Sequence, residues 1–224
     1  MSKLLSFVKL DFITLKPYLT TKNLIILLIV ATVFSVNKTD EATILGLIMA
    51  FALMYSSYPF AVGEKNGIDA LYAMLPVSKN NIVLGRYVFF IILDIMSGIT
   101  ACLLLFGIKT IMNHSFNLAV TLLSALVIFI IFSIFQAIQF PIYFKLGYAK
   151  AKFLAYTPFI IFPLIAIIIG SRFSDADIGI FVGNFVSWIS HNQFFTAVIS
   201  IIIWFIIMFI SYSISLSFYK KREF

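Results

Sequence analysis

The sequence predicts an all-α, polytopic membrane protein with six transmembrane helices in one transmembrane domain over residues 1–224. Hydrophobic residues make up 62% of the chain, charged residues make up 11%, and the mean hydropathy is +1.09. Charged residues alone are about a quarter of an ordinary soluble domain. The apolar residues also fall into six runs near the ~20 residues that a membrane-spanning helix needs. Six such spans leave no room for a separate soluble domain.

The N-terminal residues 2–16 predict an interfacial helix on the cytoplasmic surface. An amphipathic helix with lysines on its polar side favours the headgroup region of a bilayer. Pro17 then breaks the helical pattern. The apolar face of this helix consists of Leu4, Leu5, Val8, Phe12 and Leu15.

The six apolar runs differ in how clearly they predict a span. The first is the weakest, because its uncharged core, 24–36, is too short to span a bilayer. The span must therefore include the polar residues before this core, with the Lys22 side chain extending to the headgroups. Asp94 is the single charge well inside a span, and Pro141 is expected to end the fourth. The predicted spans are residues 18–36, 42–62, 87–108, 117–141, 153–171 and 194–217.

The segment before the sixth span predicts a short outer helix. Phe181, Phe185 and Trp188 recur at helical spacing, and Gly183 lies among them. We therefore expect one interfacial helix, or a helix pair broken at Gly183, in the outer membrane interface.

The distribution of basic residues predicts the orientation. Sorted by alternate loops, 13 of the 16 Lys and Arg residues fall on one side and 3 on the other. Basic residues favour the cytoplasmic side of a membrane protein. Both termini and the loop 63–86 are therefore expected in the cytoplasm, and the net charge of +7 reports topology, not a nucleic-acid partner.

The loop 63–86 concentrates polar residues between two membrane-length apolar runs. Within it Ile68, Leu71, Tyr72 and Leu75 form an apolar stripe at helical spacing. Pro76 disfavours helical geometry at the residue before it, and a second helix is expected to begin near Asn81. The pattern predicts a helix, a kink and a helix, which suits a docking surface for a soluble partner. A turn that lies on the lipid headgroups is the alternative.

Three polar side chains are predicted inside the membrane. An intramembrane carboxylate is costly, so Asp94 is a functional candidate. Gln136 and Gln139 lie at a similar depth on the antiparallel fourth span, where they could satisfy it. A structural role, in which Asp94 joins two helices, and a role in transport or coupling both stay open.

Catalytic and cofactor motifs are missing from the sequence. The P-loop pattern GxxxxGK[S/T] is absent, and His114 and His191 stand singly in predicted outer loops. The chain is therefore expected to be no enzyme and to bind no cofactor. The tyrosines and phenylalanines near the cytoplasmic span ends fit an aromatic belt, or alternatively a wet substrate vestibule; they are Tyr55, Tyr58, Phe60, Tyr143, Tyr148 and Tyr156.

The loop carries a family resemblance. Its stretches Glu64-Lys65, Leu75-Pro76-Val77-Ser78-Lys79 and Ile82-Val83-Leu84-Gly85-Arg86-Tyr87 resemble the segment between spans two and three of ABC-2 type exporter permeases. The nearest likeness is to small bacterial permeases of the phenol-soluble-modulin exporter kind. The six-span layout and the basic tail, Ser217 to Phe224, are similar too.

The resemblance implies a permease subunit that pairs with a second permease, alike or different, and with two cytosolic ATPase subunits that bind ATP and Mg²⁺. It implies that the loop holds a coupling helix seated on the ATPase and that the segment before span six caps the path outside. The expected coupling residues are Glu64, Ile68, Asp69, Leu71, Tyr72, Leu75, Pro76, Ser78, Lys79 and Arg86.

The function expected from this resemblance is export of amphipathic peptides or similar toxic molecules across the bacterial membrane. The alternative is a scaffold or immunity protein that binds a soluble partner through the same loop without transporting anything. A membrane enzyme is a third, weaker hypothesis, because no catalytic constellation is present in the sequence.

Overall fold

The computed structural model describes residues 3–36, 41–68, 71–72, 78–111, 118–170 and 192–222. Every regular element within those ranges is helical, which confirms the all-α prediction. The helices are α1 (Lys3–Leu15), a 3-10 turn (Lys16–Tyr18), α2 (Thr21–Val36), α3 (Glu41–Ser56), α4 (Tyr58–Lys65), α5 (Lys79–Ile111), α6 (Leu118–Leu146), α7 (Tyr148–Gly170) and α8 (Gln193–Lys221).

Four of the predicted spans are long and apolar enough to cross a bilayer. They lie at Ala42–Lys65, Lys79–Ile111, Thr121–Leu146 and Phe195–Lys221 and correspond to the second, third, fourth and sixth predicted spans. Helices α2 and α7 occupy the first and fifth predicted spans and are not among these four. A count of six spans therefore stays a prediction.

The second span is broken, where the sequence predicted one uninterrupted run. Helix α3 ends at Ser56, and α4 begins at Tyr58 and continues to Lys65. The physical reason is Pro59, which has no N–H to donate to the preceding turn. In the turn before the proline, the hydroxyls of Ser56 and Ser57 donate to the carbonyls of Leu53 and Met54, each at 2.7 Å.

The fourth span passes through Pro141, which was expected to end it. Pro141 cannot donate to the carbonyl of Ala137 one turn earlier. Ser211 Oγ of α8 donates to that carbonyl instead, at 2.6 Å, so the proline leaves no exposed acceptor and the helix continues to Leu146. Gly147 ends it, because its φ of 76° is a left-handed conformation that glycine adopts without strain.

The same serine begins a buried chain of hydroxyls. Tyr87 Oη lies 2.6 Å from Ser211 Oγ and 2.8 Å from Ser215 Oγ. Because the hydrogen of Ser211 goes to Ala137, Tyr87 donates to Ser211 and Ser215 donates to Tyr87. This chain of hydrogen bonds joins α5, α6 and α8 at one depth.

Helix α5 begins earlier than the predicted span. It starts at Lys79, close to the helix start predicted near Asn81. Its 33 residues extend about 50 Å at ~1.5 Å per residue. That length exceeds the ~30 Å hydrocarbon core. The second half of the loop 63–86 is therefore the first part of a membrane-spanning helix.

Buried apolar residues form two clusters along the bundle. One is rich in aromatic rings and includes Phe60, Phe89, Phe90, Phe140 and Tyr143. The other joins α2, α3, α5 and α6 through smaller aliphatic side chains such as Leu45, Met49 and Ala101. Leucine and phenylalanine side chains on the outside are well exposed, as at Leu103 and Phe209, which suits a surface in contact with lipid tails.

We predict that Pro141 and Ser211 are energetically coupled. Ser211→Ala should destabilise the protein by about 1 kcal/mol, the size of an interhelical hydrogen bond in a membrane protein. In a Pro141→Ala background the new N–H of residue 141 satisfies Ala137, so the cost of Ser211→Ala should fall. The measurement is a double-mutant cycle of denaturant unfolding on the purified protein.

Ser213→Ala is the matched control, because its hydroxyl donates to Phe209 within the same helix. An equal cost of Ser211→Ala with and without Pro141 would show that the carbonyl of Ala137 does not link the two residues.

Candidate functional site

The coupling residues expected from the sequence lie near one end of the helix bundle. Glu64, Ile68, Leu71, Tyr72, Ser78, Lys79 and Arg86 are within the described residues, whereas Asp69, Leu75 and Pro76 lie outside them. Helix α1 and the end of α8 reach the same region. Gly85 of α5 approaches α1 so closely that a Cβ there would lie 2.9 Å from Phe7 Cβ, and Lys79 binds Lys220. The N-terminal helix, the loop and the C-terminal helix end therefore meet at one end of the bundle.

The residues of the predicted apolar stripe do not share one environment in the structure. Leu71 is 53% exposed, but Tyr72 is only 6% exposed. The Tyr72 ring packs edge-on against Phe7 of α1, with the ring centroids 5.3 Å apart, and Ile68 packs on the aromatic core. Tyr72 therefore packs on α1 while Leu71 is exposed, and the role of either residue in contact with a partner stays a prediction.

The Arg86 side chain is buried and is not exposed to a partner. Its Nε lies 3.4 Å from Asp11 Oδ2, both side chains are about 95% buried, and its guanidinium sits 4.6 Å from the centre of the Phe60 ring. The sequence analysis missed Asp11, although Val8, Asp11 and Leu15 share one helical face. An acidic residue on the apolar face of α1 was the signal for a buried ion pair.

Two other charged loop residues, Glu64 and Lys79, bind the ends of other helices. Glu64 Oε2 accepts a hydrogen bond of 3.0 Å from the backbone N–H of Ala149, in the first turn of α7, where a carboxylate suits the positive end of the helix dipole. Lys79 Nζ donates to the carbonyl of Lys220 at 3.1 Å, at the negative end of α8. Both charges therefore hold this chain together.

The exposed part of the loop is consequently smaller than predicted. Its exposed side chains, among the described residues, are Lys65, Asn66, Leu71, Ser78, Asn80 and Leu84. Leu71 and Leu84 are the large apolar ones, and Leu84 lies on α5, where it lines a cleft with residues of α8. We call the other five residues, Lys65, Asn66, Leu71, Ser78 and Asn80, the outer loop surface.

The intramembrane polar residues come together only in part. Asp94, Gln136 and Gln139 are all 0% exposed. Gln136 Nε2 donates to Asp94 Oδ1 at 3.0 Å, and Ser133 Oγ donates to Oδ2 at 3.4 Å. The bond from Gln136 confirms the expectation that this residue could satisfy the Asp94 carboxyl group.

The expected bond from Gln139 is not formed. The amide atoms of Gln139 have no hydrogen-bond partner among the described residues. Ser133 contacts Asp94 instead, one helical turn before Gln136. The spacing of three residues between Ser133 and Gln136 could have pointed to it.

Tyrosines surround a cleft of about 470 Å³ between α3, α4 and α7. Tyr58, Tyr148 and Tyr156 line it, together with Ser57 at the break in the second span. Tyr18 stacks on Tyr58 with the ring centroids 4.3 Å apart. Burial raises the pKa of the Tyr148 hydroxyl, so this group stays a neutral hydrogen-bonding phenol. Of the predicted aromatic set, Tyr55, Phe60 and Tyr143 are buried in the core instead.

The outer-helix residues Phe181, Phe185 and Trp188 lie outside the described residues. Within the described part of the chain, no three His, Cys, Asp or Glu side chains come together in a group that could hold a metal ion.

The comparisons with known proteins give one match. A family model described as "ABC-2 family transporter protein" matches residues 6–220, nearly the whole chain. Comparison with curated proteins and with solved structures gives no match.

We predict that the buried pair of Asp11 and Arg86 behaves as one unit. Asp11→Leu alone should destabilise the protein by about 3 to 5 kcal/mol, because it leaves a buried guanidinium without its carboxylate. The double variant Asp11→Leu with Arg86→Met removes both charges and should recover most of that loss. Unfolding in detergent, measured for both single variants and the double, checks this expectation. A double variant as unstable as the sum of the singles would contradict it.

Proposed function

We infer the function of this chain from its membership of the ABC-2 family of transporter proteins, which makes it a membrane permease of an ABC transporter. We propose that it exports amphipathic peptides or similar toxic molecules from a bacterial cell. The energy comes from a separate ATPase subunit that holds ATP and Mg²⁺, and a second permease subunit, alike or different, completes the path. Both termini are proposed to face the cytoplasm.

The observation that carries this proposal is the attachment of the loop to the membrane helices. Tyr72 packs on α1, and Asp11 of α1 is paired with Arg86 of α5. Helix α5 then continues without interruption from Lys79 to Ile111. A partner that displaces the outer loop surface would therefore move a helix that crosses the whole bilayer, which is what an ATP-driven permease requires.

Docking of the ATPase is proposed to use Leu71 as its apolar contact. Leu71 is 53% exposed on a segment whose other side is buried, so its contact with a groove would add affinity without disturbing the fold. Lys65 and Ser78 are exposed beside it in the outer loop surface and would act as polar rim contacts, individually weaker.

The proposed cargo class is supported by the tyrosine cleft. Its walls combine apolar side chains such as Leu53 and Met54 with the hydroxyls of Ser57, Tyr58 and Tyr148. A surface of this kind suits a molecule with one apolar and one polar face. The cleft borders the Pro59 break, at the same end of the bundle as the loop.

The alternative is a scaffold or immunity protein that holds a soluble partner through the outer loop surface. Both this alternative and the exporter hypothesis use the exposed Leu71 as a contact with the partner. It differs in requiring no movement of cargo and no dependence on ATP hydrolysis.

We predict that Leu71→Ala uncouples the permease from its ATPase while leaving the fold intact. Loss of a hot-spot side chain costs about 2 kcal/mol of docking, or roughly thirtyfold in affinity. Co-purification with the candidate ATPase and the ATPase rate of the complex measure this loss.

Two variants serve as controls for Leu71→Ala. Leu103→Ala alters a leucine that is 64% exposed but lies within the span of α5. Tyr72→Phe keeps the ring that packs on Phe7. Both should behave like the unchanged chain. Normal co-purification and ATPase activity of Leu71→Ala would remove Leu71 from the proposed docking site.

Export itself is tested with vesicles that contain the permease and the candidate ATPase. A fluorescent amphipathic helical peptide should be transported only with hydrolysable ATP, because energy enters through the partner. A peptide of the same composition, scrambled so that it has no apolar face, should not be transported. Stable binding of the ATPase without any ATP-dependent movement of the amphipathic peptide would favour the scaffold alternative.

A further inference from the structure

The carboxyl group of Asp94 is fully buried in the bundle, and no positively charged side chain of the described residues is paired with it. Its hydrogen bonds within the described residues come from Gln136 and Ser133, and both donors are neutral. Arg86 on the same helix is about 12 Å away along the axis and is paired with Asp11. An ionised carboxylate at this place would carry a desolvation cost that two neutral donors do not offset.

The side-chain amide of Gln136 forms a hydrogen bond through its nitrogen but not through its oxygen, within the described residues. Its Nε2 donates to Asp94 Oδ1 at 3.0 Å, while its Oε1 is buried and has no hydrogen-bond partner among the described residues. An unmet acceptor in a dry interior destabilises the fold. The idle oxygen belongs to the same planar amide that already binds Asp94.

A neutral carboxyl group and a primary amide are complementary. The amide N–H binds the carbonyl oxygen of the acid, and the acid O–H binds the amide oxygen, so the two groups form a ring closed by two hydrogen bonds. The first of these bonds is present in the structure. The second requires a proton on Asp94 Oδ2 and a position of Gln136 Oε1 that accepts it.

We propose that Asp94 is a proton-binding site inside the membrane, where the neutral acid and the Gln136 amide form a ring of two hydrogen bonds that ties α5 to α6. One proton would remove the buried charge and satisfy the idle amide oxygen together. Ser133 would remain a weak third contact, at 3.4 Å from Oδ2. The proposal does not depend on the identity of the cargo or of the partner.

The structure also provides a route by which a small apolar reagent reaches Asp94. A cleft of about 330 Å³ between α5 and α6 extends to Asp94, and Gly98, Cys102, Leu122 and Phe129 line it. Apart from the charged residues at the helix ends, the other titratable side chains of α3, α5, α6 and α8 are Tyr55, Arg86, Tyr87, Cys102, Tyr143, Tyr212 and Tyr219.

Dicyclohexylcarbodiimide tests the proposal, because this apolar reagent modifies carboxyl groups that carry a proton. The experiment uses the full chain in membrane vesicles, in a Cys102→Ala background so that the thiol does not react. At neutral pH we expect mass spectrometry to find Asp94 modified. Asp11 is the internal control, because it is equally buried but ionised beside Arg86, and its labelling should be lower by about tenfold or more.

Infrared spectroscopy decides the question independently of reagent access. The difference spectrum between the unchanged chain and Asp94→Asn should contain the C=O absorption of a protonated carboxylic acid at neutral pH. Gln136→Leu should shift that absorption, because it removes the hydrogen bonds to the acid. A carboxylate absorption in its place would overturn the proposal.

Stability measurements add the sign of the pH effect. A proton bound by the folded but not the unfolded chain stabilises the fold less as the pH rises. The melting temperature should therefore fall from pH 5 to pH 9 relative to that of Asp94→Asn, which carries no titrating group there. Protection of Asp94 by sodium ions at constant pH would instead identify a metal cation as the occupant and would also overturn the proposal.

Discussion

The structure depends on one constraint, which is that a polar group inside a bilayer must find its partner within the protein because no water is available there. The carbonyl of Ala137 shows the constraint most directly. Pro141 deprives it of its helical donor, and Ser211 from another helix replaces that donor at 2.6 Å. A residue that would end a helix in water thus creates the acceptor on which two membrane helices dock.

At the end of the bundle where the loop 63–86 lies, charged groups also find partners within the protein. Asp11 and Arg86 are buried against each other, Glu64 binds the first turn of α7, and Lys79 binds the carbonyl of Lys220 near the end of α8. These four charged residues are therefore used within the chain and attach the loop to the membrane helices.

This arrangement gives the two sides of the loop different surroundings. Tyr72 and Arg86 are buried and attach the loop to α1 and the aromatic core, whereas Leu71 in the outer loop surface is exposed. The difference follows from the position of α1, which covers one side of the segment. Under the proposed function, the exposed side is the one that contacts the partner.

The sequence by itself determined the helical class and four of the spans. It also determined the start of α5 near residue 79 and the pairing of Asp94 with Gln136. These features could be predicted because apolar run length and helical periodicity are local properties of the chain. It also marked the loop that stands out from the apolar spans. Only the tertiary structure decided that Tyr72 turns inward, that Asp11 holds Arg86, and that Ser133 and not Gln139 completes the contacts of Asp94. Each of these depends on which helix packs against which, and a rotation of about 100° per residue moves a side chain from one neighbour to another without any change in the pattern of the sequence.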